Sequence, residues 1–325
     1  MKKKTVFYIL ILLFLFSFNS GSIFACDSCG CALSRAGSDA ESMNQNQPWF
    51  FDFAFEQQNW HEKPALEAHE LHETGHHFHD KTHEEFYHFT LGINPWEEFT
   101  ALVEIPYVVR ESVVIEGEES EETGLPERLG AKEQSEGLGD LNLTGIYRFL
   151  RKDENYLGLV AGVKFPTGST KETNSQGDRF EPELQPGSGS YDYTIGATFK
   201  YELYPIALHG NALYVFKKKG SQEFEYGDLF STYLFADYLV NPKSNRFQTK
   251  IGLDVNLQID GRQTESGKEM VDSGGTTLLL GPSLSIKAND YVSVFGNFLF
   301  PVYQNLGGVH QELDFVWNAG AKISW

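Results

Sequence analysis

The chain has 325 residues, with 26 Lys and Arg against 45 Asp and Glu, a net charge of −19. That balance argues against nucleic acid and anionic membrane surfaces as partners. It leaves a membrane location open, because a β-barrel carries its apolar band in alternate residues.

The first element is a leader. Lys2 to Lys4 precede an apolar run from Val6 to Phe18, and small residues lead to Ala25. This is the pattern of a cleaved secretory signal peptide over residues 1–25, too short and wrongly flanked for a spanning helix. No later stretch is apolar for long enough to cross a bilayer as a helix.

Residues 26–48 follow as a periplasmic segment opening on "CDSCGC", which holds all three cysteines, Cys26, Cys29 and Cys31. Three readings stand. A C-x-x-C-x-C run presents thiolates to a soft metal such as Cu(I) or Zn(II), although a closed zinc site wants a fourth ligand. An exported protein can instead form a disulfide. Cys26 would also be the first mature residue, the position of a lipid anchor, although Phe24 is bulky for such a site. Residues 32–48 read as a plug or a linker, and their short, polar character favours a linker that could enter the lumen.

From residue 49 the dominant period is two. "FFDFAFEQ" puts Phe51, Phe53 and Phe55 on one face, and "FQTKIGLDVNLQID" sets Ile251, Leu253, Val255 and Leu257 against Lys250, Asp254, Asn256 and Gln258. Twelve such segments are predicted: 49–59, 84–94, 98–110, 138–149, 155–165, 190–201, 205–216, 228–240, 247–259, 275–287, 291–301 and 312–325. Several match the roughly 9–11 residues that a tilted strand needs to cross a bilayer. Their connections alternate. Short turns fall near Asn94-Pro95, Lys152-Asp153-Glu154, Tyr204-Pro205, Asn241-Pro242 and Asn289-Asp290, with long polar loops between them. This is the plan of an all-β, antiparallel up-and-down transmembrane barrel over 49–325, with short periplasmic turns and long extracellular loops. The last segment ends on Trp325 behind alternating apolar residues, like the terminal strand of bacterial outer-membrane barrels.

The first long loop, 60–83, is histidine-rich: eight of the ten histidines fall between His61 and His88. It contains His72-Glu73-Thr74-Gly75-His76, a match to the H-E-x-x-H zinc-protease pattern. A biased segment makes such matches by chance, Gly75 weakens the helix the motif requires, and no catalytic domain accompanies it. The residue types favour metal capture or a plain solvated loop. If a helix continued through the segment, His69, His72, His76, His79 and His83 would share one face. With His77, these imidazoles would suit Zn, Cu or Ni. The second long loop, 111–137, is rich in glutamate and reads as solvated.

"GLGDLNLTGIYRFL" (137–150), "LGLVAGVKFPTGS" (157–169) and "LQPGSGSYDYTIGATF" (184–199) resemble the outer-membrane family named for the MetA pathway of phenol degradation. The resemblance is clearest over 137–201. It implies a barrel in the bacterial outer membrane passing small molecules, aromatic compounds among them. The cysteine segment and the histidine loop depart from a typical member.

Strand directions follow from the loop pattern, so charges can be placed by depth. Arg148, Lys200, Lys250, Lys287 and Lys322 are expected as a lumen ring at the periplasmic mouth. Asp140, Asp192 and Asp314 are expected on the lumen side near the extracellular mouth. Such rings set ion preference in pores, although rim cations also simply pair with lumen carboxylates. Barrel-borne catalysis would need a Ser/His pair, and His209 has no serine at a suitable offset on its strand. The reading is a non-enzymatic channel for passive passage of small solutes, with transition-metal ions as further candidates. The alternative is a non-transporting surface protein that displays a metal-binding loop.

Overall fold

A computed structural model describes residues 47–60, 79–114, 132–241, 247–270, 273–307 and 312–325. The leader, Cys26, Cys29, Cys31, and the loop histidines His69, His72, His76 and His77 lie outside these residues. The described chain forms sixteen strands: β1 Trp49–Trp60, β2 His79–Trp96, β3 Phe99–Val114, β4 Lys132–Leu138, β5 Leu141–Lys152, β6 Asn155–Phe165, β7 Asp192–Leu203, β8 Ile206–Phe216, β9 Phe224–Glu225, β10 Leu229–Leu239, β11 Gln248–Asp260, β12 Thr264–Glu265, β13 Lys268–Glu269, β14 Gly275–Lys287, β15 Val292–Leu306 and β16 Leu313–Ser324.

Each wall strand pairs antiparallel with its neighbours, and the ring closes where β1 meets β16, from Phe50 opposite Ser324 to Trp60 opposite Leu313. β4 and β5 are two pieces of one wall strand. Both pair with β3, β4 against Tyr107–Val113 and β5 against Phe99–Glu104. The wall therefore has twelve strands. The short β9, β12 and β13 form a separate sheet within the long loops after β8 and β11. Closure is what a strand protein in lipid requires, since an open edge would leave N–H and C=O groups unsatisfied in hydrocarbon.

The period-two pattern sorts the two faces. In β1, Phe50, Asp52, Ala54 and Glu56 are buried in the lumen while Trp49 and Phe51 are exposed outside. In β7, Asp192, Thr194, Thr198 and Lys200 face in while Tyr193, Ile195 and Tyr201 face out. Exposed aromatics gather at both rims: Trp49, Trp96, Tyr204, Tyr291 and Trp325 at the short-turn end, and Tyr191, Tyr193 and Tyr303 at the other. That arrangement is the double girdle of a membrane barrel.

Three predicted boundaries move. β2 runs through Asn94-Pro95, and the turn falls at Glu97-Glu98. Pro95 has no N–H to give the ladder, so it sits where the register shifts between Ile93 and Trp96. The 111–137 loop is shorter than expected, because β3 continues to Val114 and β4 begins at Lys132, opposite Val113. β2 likewise starts at His79. His79 and His83 thus belong to a strand, and the conditional helical face of five histidines does not form through them.

The inside–outside assignment is testable on β6. Leu159, mid-strand and 56% exposed, faces the bilayer centre, so Leu159→Arg should cost about 2–4 kcal/mol in lipid-vesicle unfolding. Leu203, 60% exposed at the rim, should cost only about 0–1 kcal/mol as Leu203→Arg. Equal costs would refute the depth assignment.

Candidate functional site in the barrel lumen

At the short-turn mouth, the alternation brings Arg148, Lys200, Lys250, Lys287 and Lys322 onto the inner face, each near a short-turn or terminal strand end. Lys200 contacts Glu202 at 2.8 Å and Glu154 at 3.7 Å, Lys250 lies 3.8 Å from Asp237, and Lys287 meets Asp290 at 2.9 Å. Lys322 stands opposite Asp52 in the register, with its ammonium 4.4 Å from the centre of the Phe50 ring. Arg148 donates from Nη1 to Thr100 Oγ1 at 3.0 Å and lies over the Tyr156 ring.

At the opposite end, Asp140 and Asp192 are buried, as the strand directions suggest, but they are not free charges. Lys164 bridges them, at 3.4 Å from Asp140 and 2.5 Å from Asp192. Asp140 also accepts from the backbone N–H groups of Gly168 and Ser188, each at 3.0 Å, and from Ser188 Oγ at 2.7 Å. Asp192 accepts from Ser190 Oγ and from the Lys218 N–H, both at 2.9 Å. Asp314, expected beside them, is exposed instead. It lies next to Leu313, where the β1–β16 register shifts, so strict alternation no longer predicts its side.

These acids anchor the connection from β6 to β7, residues 166–191, which the sequence alone presents as an outward loop. It folds across the mouth. Gln185 staples it internally, donating to the carbonyls of Glu172 and Phe180 at 3.0 and 2.9 Å. On one side, Arg110 donates to the Gln185 carbonyl and Ser135 to that of Leu184. On the other, Tyr226 donates to the Pro182 carbonyl at 3.0 Å, and Gln263 to Glu183 Oε1 at 2.9 Å. β3 and β11 stand third and ninth around the ring, so the loop braces opposite walls. Glycines allow this. A Cβ on Gly168 would come within 2.7 Å of Gly187 Cα and 2.9 Å of the Gly139 carbonyl carbon.

Between the two charged tiers the wall is not uniformly polar. Phe50, Leu102, Ile146, Val160, Leu213, Val215 and Leu229 form one buried apolar cluster. It climbs from the short-turn end of β1 to the loop ends of β8 and β10. A second cluster joins Tyr233, Leu279, Leu299, Leu313 and Val316, with Trp60 and Phe235 packed against it. Beside these run two buried polar pairs: the Glu84–Arg110 ion pair at 2.8 Å, and a His88 Nδ1–Glu104 Oε1 hydrogen bond at 3.0 Å. Their signal was present, since all four stand at lumen positions of the alternation.

Of the predicted metal ligands, His79 and His83 belong to the described residues. His83 Nδ1 is 2.8 Å from Asn59 Oδ1, and its Nε2 is 3.2 Å from Glu85 Oε1. Both ring nitrogens are thus engaged within the wall. Among the described residues no three His, Cys, Asp or Glu side chains form a group able to hold a metal ion.

The family model described as "Putative MetA-pathway of phenol degradation" matches residues 99–305. No curated protein matches the sequence. Among solved structures, the COG4313 outer membrane channel from Pseudomonas putida F1 is similar at 15% identity and a TM-score of 0.55, over 86% of this chain and 96% of that one. The β domain of the Bordetella autotransporter BrkA aligns at 7% identity and a TM-score of 0.48, over 86% and 100% of the two chains. The translocator domain of NalP from Neisseria meningitidis aligns at 12% identity and a TM-score of 0.48, over 90% and 94%. The first of these supports the closed outer-membrane barrel fold.

Lys164 offers a direct test of the loop anchor. Lys164→Met leaves two buried carboxylates without their shared cation, and should lower stability by about 3–5 kcal/mol in denaturant unfolding. The double variant Lys164→Met/Asp192→Asn should be less destabilised than Lys164→Met. A neutral single variant would show that the bridge does not hold the loop.

Proposed function

The chain belongs to the family of the MetA pathway of phenol degradation, and from that premise we propose that it is an outer-membrane channel for passive passage of small solutes with an apolar part. One observation carries the reading: a closed barrel whose inner wall has an apolar stripe running from one mouth towards the other, between tiers of charge. An apolar solute needs contacts along its path, and this stripe is where the inner wall offers apolar groups. The description of the Pseudomonas putida structure as an outer membrane channel agrees with this.

The cationic ring at the short-turn mouth sets ion preference, as charged rings do in other pores. The 166–191 loop narrows the opposite mouth. In planar bilayers the purified protein should conduct, and replacing residues 171–184 by two glycines should raise single-channel conductance. Neutralising Lys200, Lys250 and Lys287 together should shift the reversal potential towards cations. Absence of any conductance would leave the surface-display alternative, and an unchanged reversal potential would remove the ring from the account.

A metal-linked form of this function rests on the sequence of the histidine loop and the cysteine segment. His69, His72, His76 and His77, with Cys26, Cys29 and Cys31, are its candidate ligands. Elemental analysis of purified protein should then find bound Zn, Cu or Ni, and deletion of residues 61–78 should lower it. Equal metal content in the deletion variant would dismiss the loop as a metal site.

A further inference from the structure

Several buried charges in this lumen have an opposite charge close by. Lys164 has Asp140 and Asp192, Arg110 has Glu84, and Lys217 lies 3.9 Å from Asp260. Arg148 differs. Its residue is 1% exposed, it donates from Nη1 to Thr100 Oγ1, and the Tyr156 side chain is a second polar neighbour. Nε and Nη2 have no hydrogen-bond partner among the described residues. An unpaired guanidinium at this depth is expensive. The chain nevertheless keeps it, held on one side by Thr100 and on the other by the face of Tyr156, 5.2 Å away.

The unused atoms are informative. Nε and Nη2 form the side edge of the guanidinium, whose two parallel donors match the two oxygens of a carboxylate. Gly158 stands opposite Arg148 on one side and Thr198 on the other. A Cβ there would lie 3.0 Å from the Tyr147 carbonyl oxygen, 3.3 Å from Thr198 Cγ2 and 3.4 Å from Arg148 Cα, so glycine avoids tight contacts beside Arg148. Lys200, opposite Tyr156, adds a second cation nearby. Two residues towards the loop end, Leu102 follows Thr100 and Ile146 precedes Arg148. Both belong to the apolar stripe.

Resting on the channel reading, we propose that Arg148 is the docking point for the carboxylate of a monocarboxylate solute whose apolar body lies along Leu102 and Ile146. The assignment adds a ligand class to a lumen otherwise described only as mixed. It also accounts for the unpaired guanidinium: the solute supplies the missing counter-charge.

The test is fluorine NMR of 4-fluorobenzoate with the full-length protein in detergent. The wild-type protein should broaden the signal saturably, and excess benzoate should restore it. Arg148→Met should weaken binding by about tenfold or more, the loss expected for a charge-assisted hydrogen-bonded contact. Arg148→Lys should fall in between, keeping the charge but losing the two-donor edge. The uncharged 4-fluorobenzyl alcohol should not distinguish wild type from Arg148→Met. Unchanged 4-fluorobenzoate affinity in Arg148→Met overturns the proposal. If that variant does not fold, unchanged affinity in Arg148→Lys does so instead. Displacement by inorganic phosphate as efficient as by benzoate overturns the monocarboxylate assignment. A protein that binds the probe through Arg148 but does not conduct refutes the channel and keeps the site. A conducting protein whose probe binding ignores Arg148 refutes the site and keeps the channel.

Discussion

Hydrogen-bond closure between β1 and β16 is the constraint from which the rest of this molecule follows. In hydrocarbon, a strand edge with unpaired N–H and C=O groups has nothing to bond to. The chain therefore brings its first and last wall strands together, Asp52 opposite Lys322 and Phe55 opposite Ala319. Once the ring is closed, every wall strand has one face in lipid and one in a confined lumen. The outward face collects Phe51, Leu159, Ile195 and Ile251, which would be a liability on a soluble protein and is required here.

The inward face inherits an electrostatic problem from that closure. Charges such as Asp140, Lys164, Asp192, Glu84 and Arg110 are buried away from bulk solvent, where an unpaired charge is costly. The structure answers with close pairs, and it uses one of them to fold a loop. The Asp140–Lys164–Asp192 bridge accepts backbone N–H groups of residues 168, 188 and 218, so a tier of wall charges also becomes the anchor of the brace across the mouth. Pairing, constriction and the shape of the passage are one arrangement. Arg148 stands outside this pairing, and there we place the ligand chemistry.

Much of this fold was legible along the chain because a barrel strand writes its two environments in alternate letters. The predicted 155–165 and 275–287 segments coincide with β6 and β14, and the other predicted segments overlap wall strands within a few residues, apart from extensions at the loop ends of β2, β3 and β15 and the β4 piece of the fourth wall strand. The misplacements have physical causes. Pro95 looked like a turn and is a bulge. The histidine-rich run looked uniformly loop-like, yet His83 is hydrogen-bonded into the wall beside Asn59 and Glu85. Asp314 fell beside a register shift that no local pattern announces. In the lumen, the positions of Arg148, Lys200, Lys250, Lys287 and Lys322 were readable from parity and strand direction. Lys164 was equally readable by parity. Its importance was not, because that depends on two carboxylates from other strands meeting at its ammonium.

The sequence by itself determined the barrel, its orientation-bearing loop pattern and which residues face lipid or lumen, since those properties reside in a two-residue period and in the lengths between strands. The tertiary structure alone decided which lumen charges neutralise one another, that the 166–191 loop turns inward, and that Nε and Nη2 of Arg148 are buried without a hydrogen-bond partner. Those outcomes depend on neighbours far apart in the chain, such as Gln185 against Arg110 and Thr100 against Arg148. Side chains so distant meet only when the ring has closed and set their register.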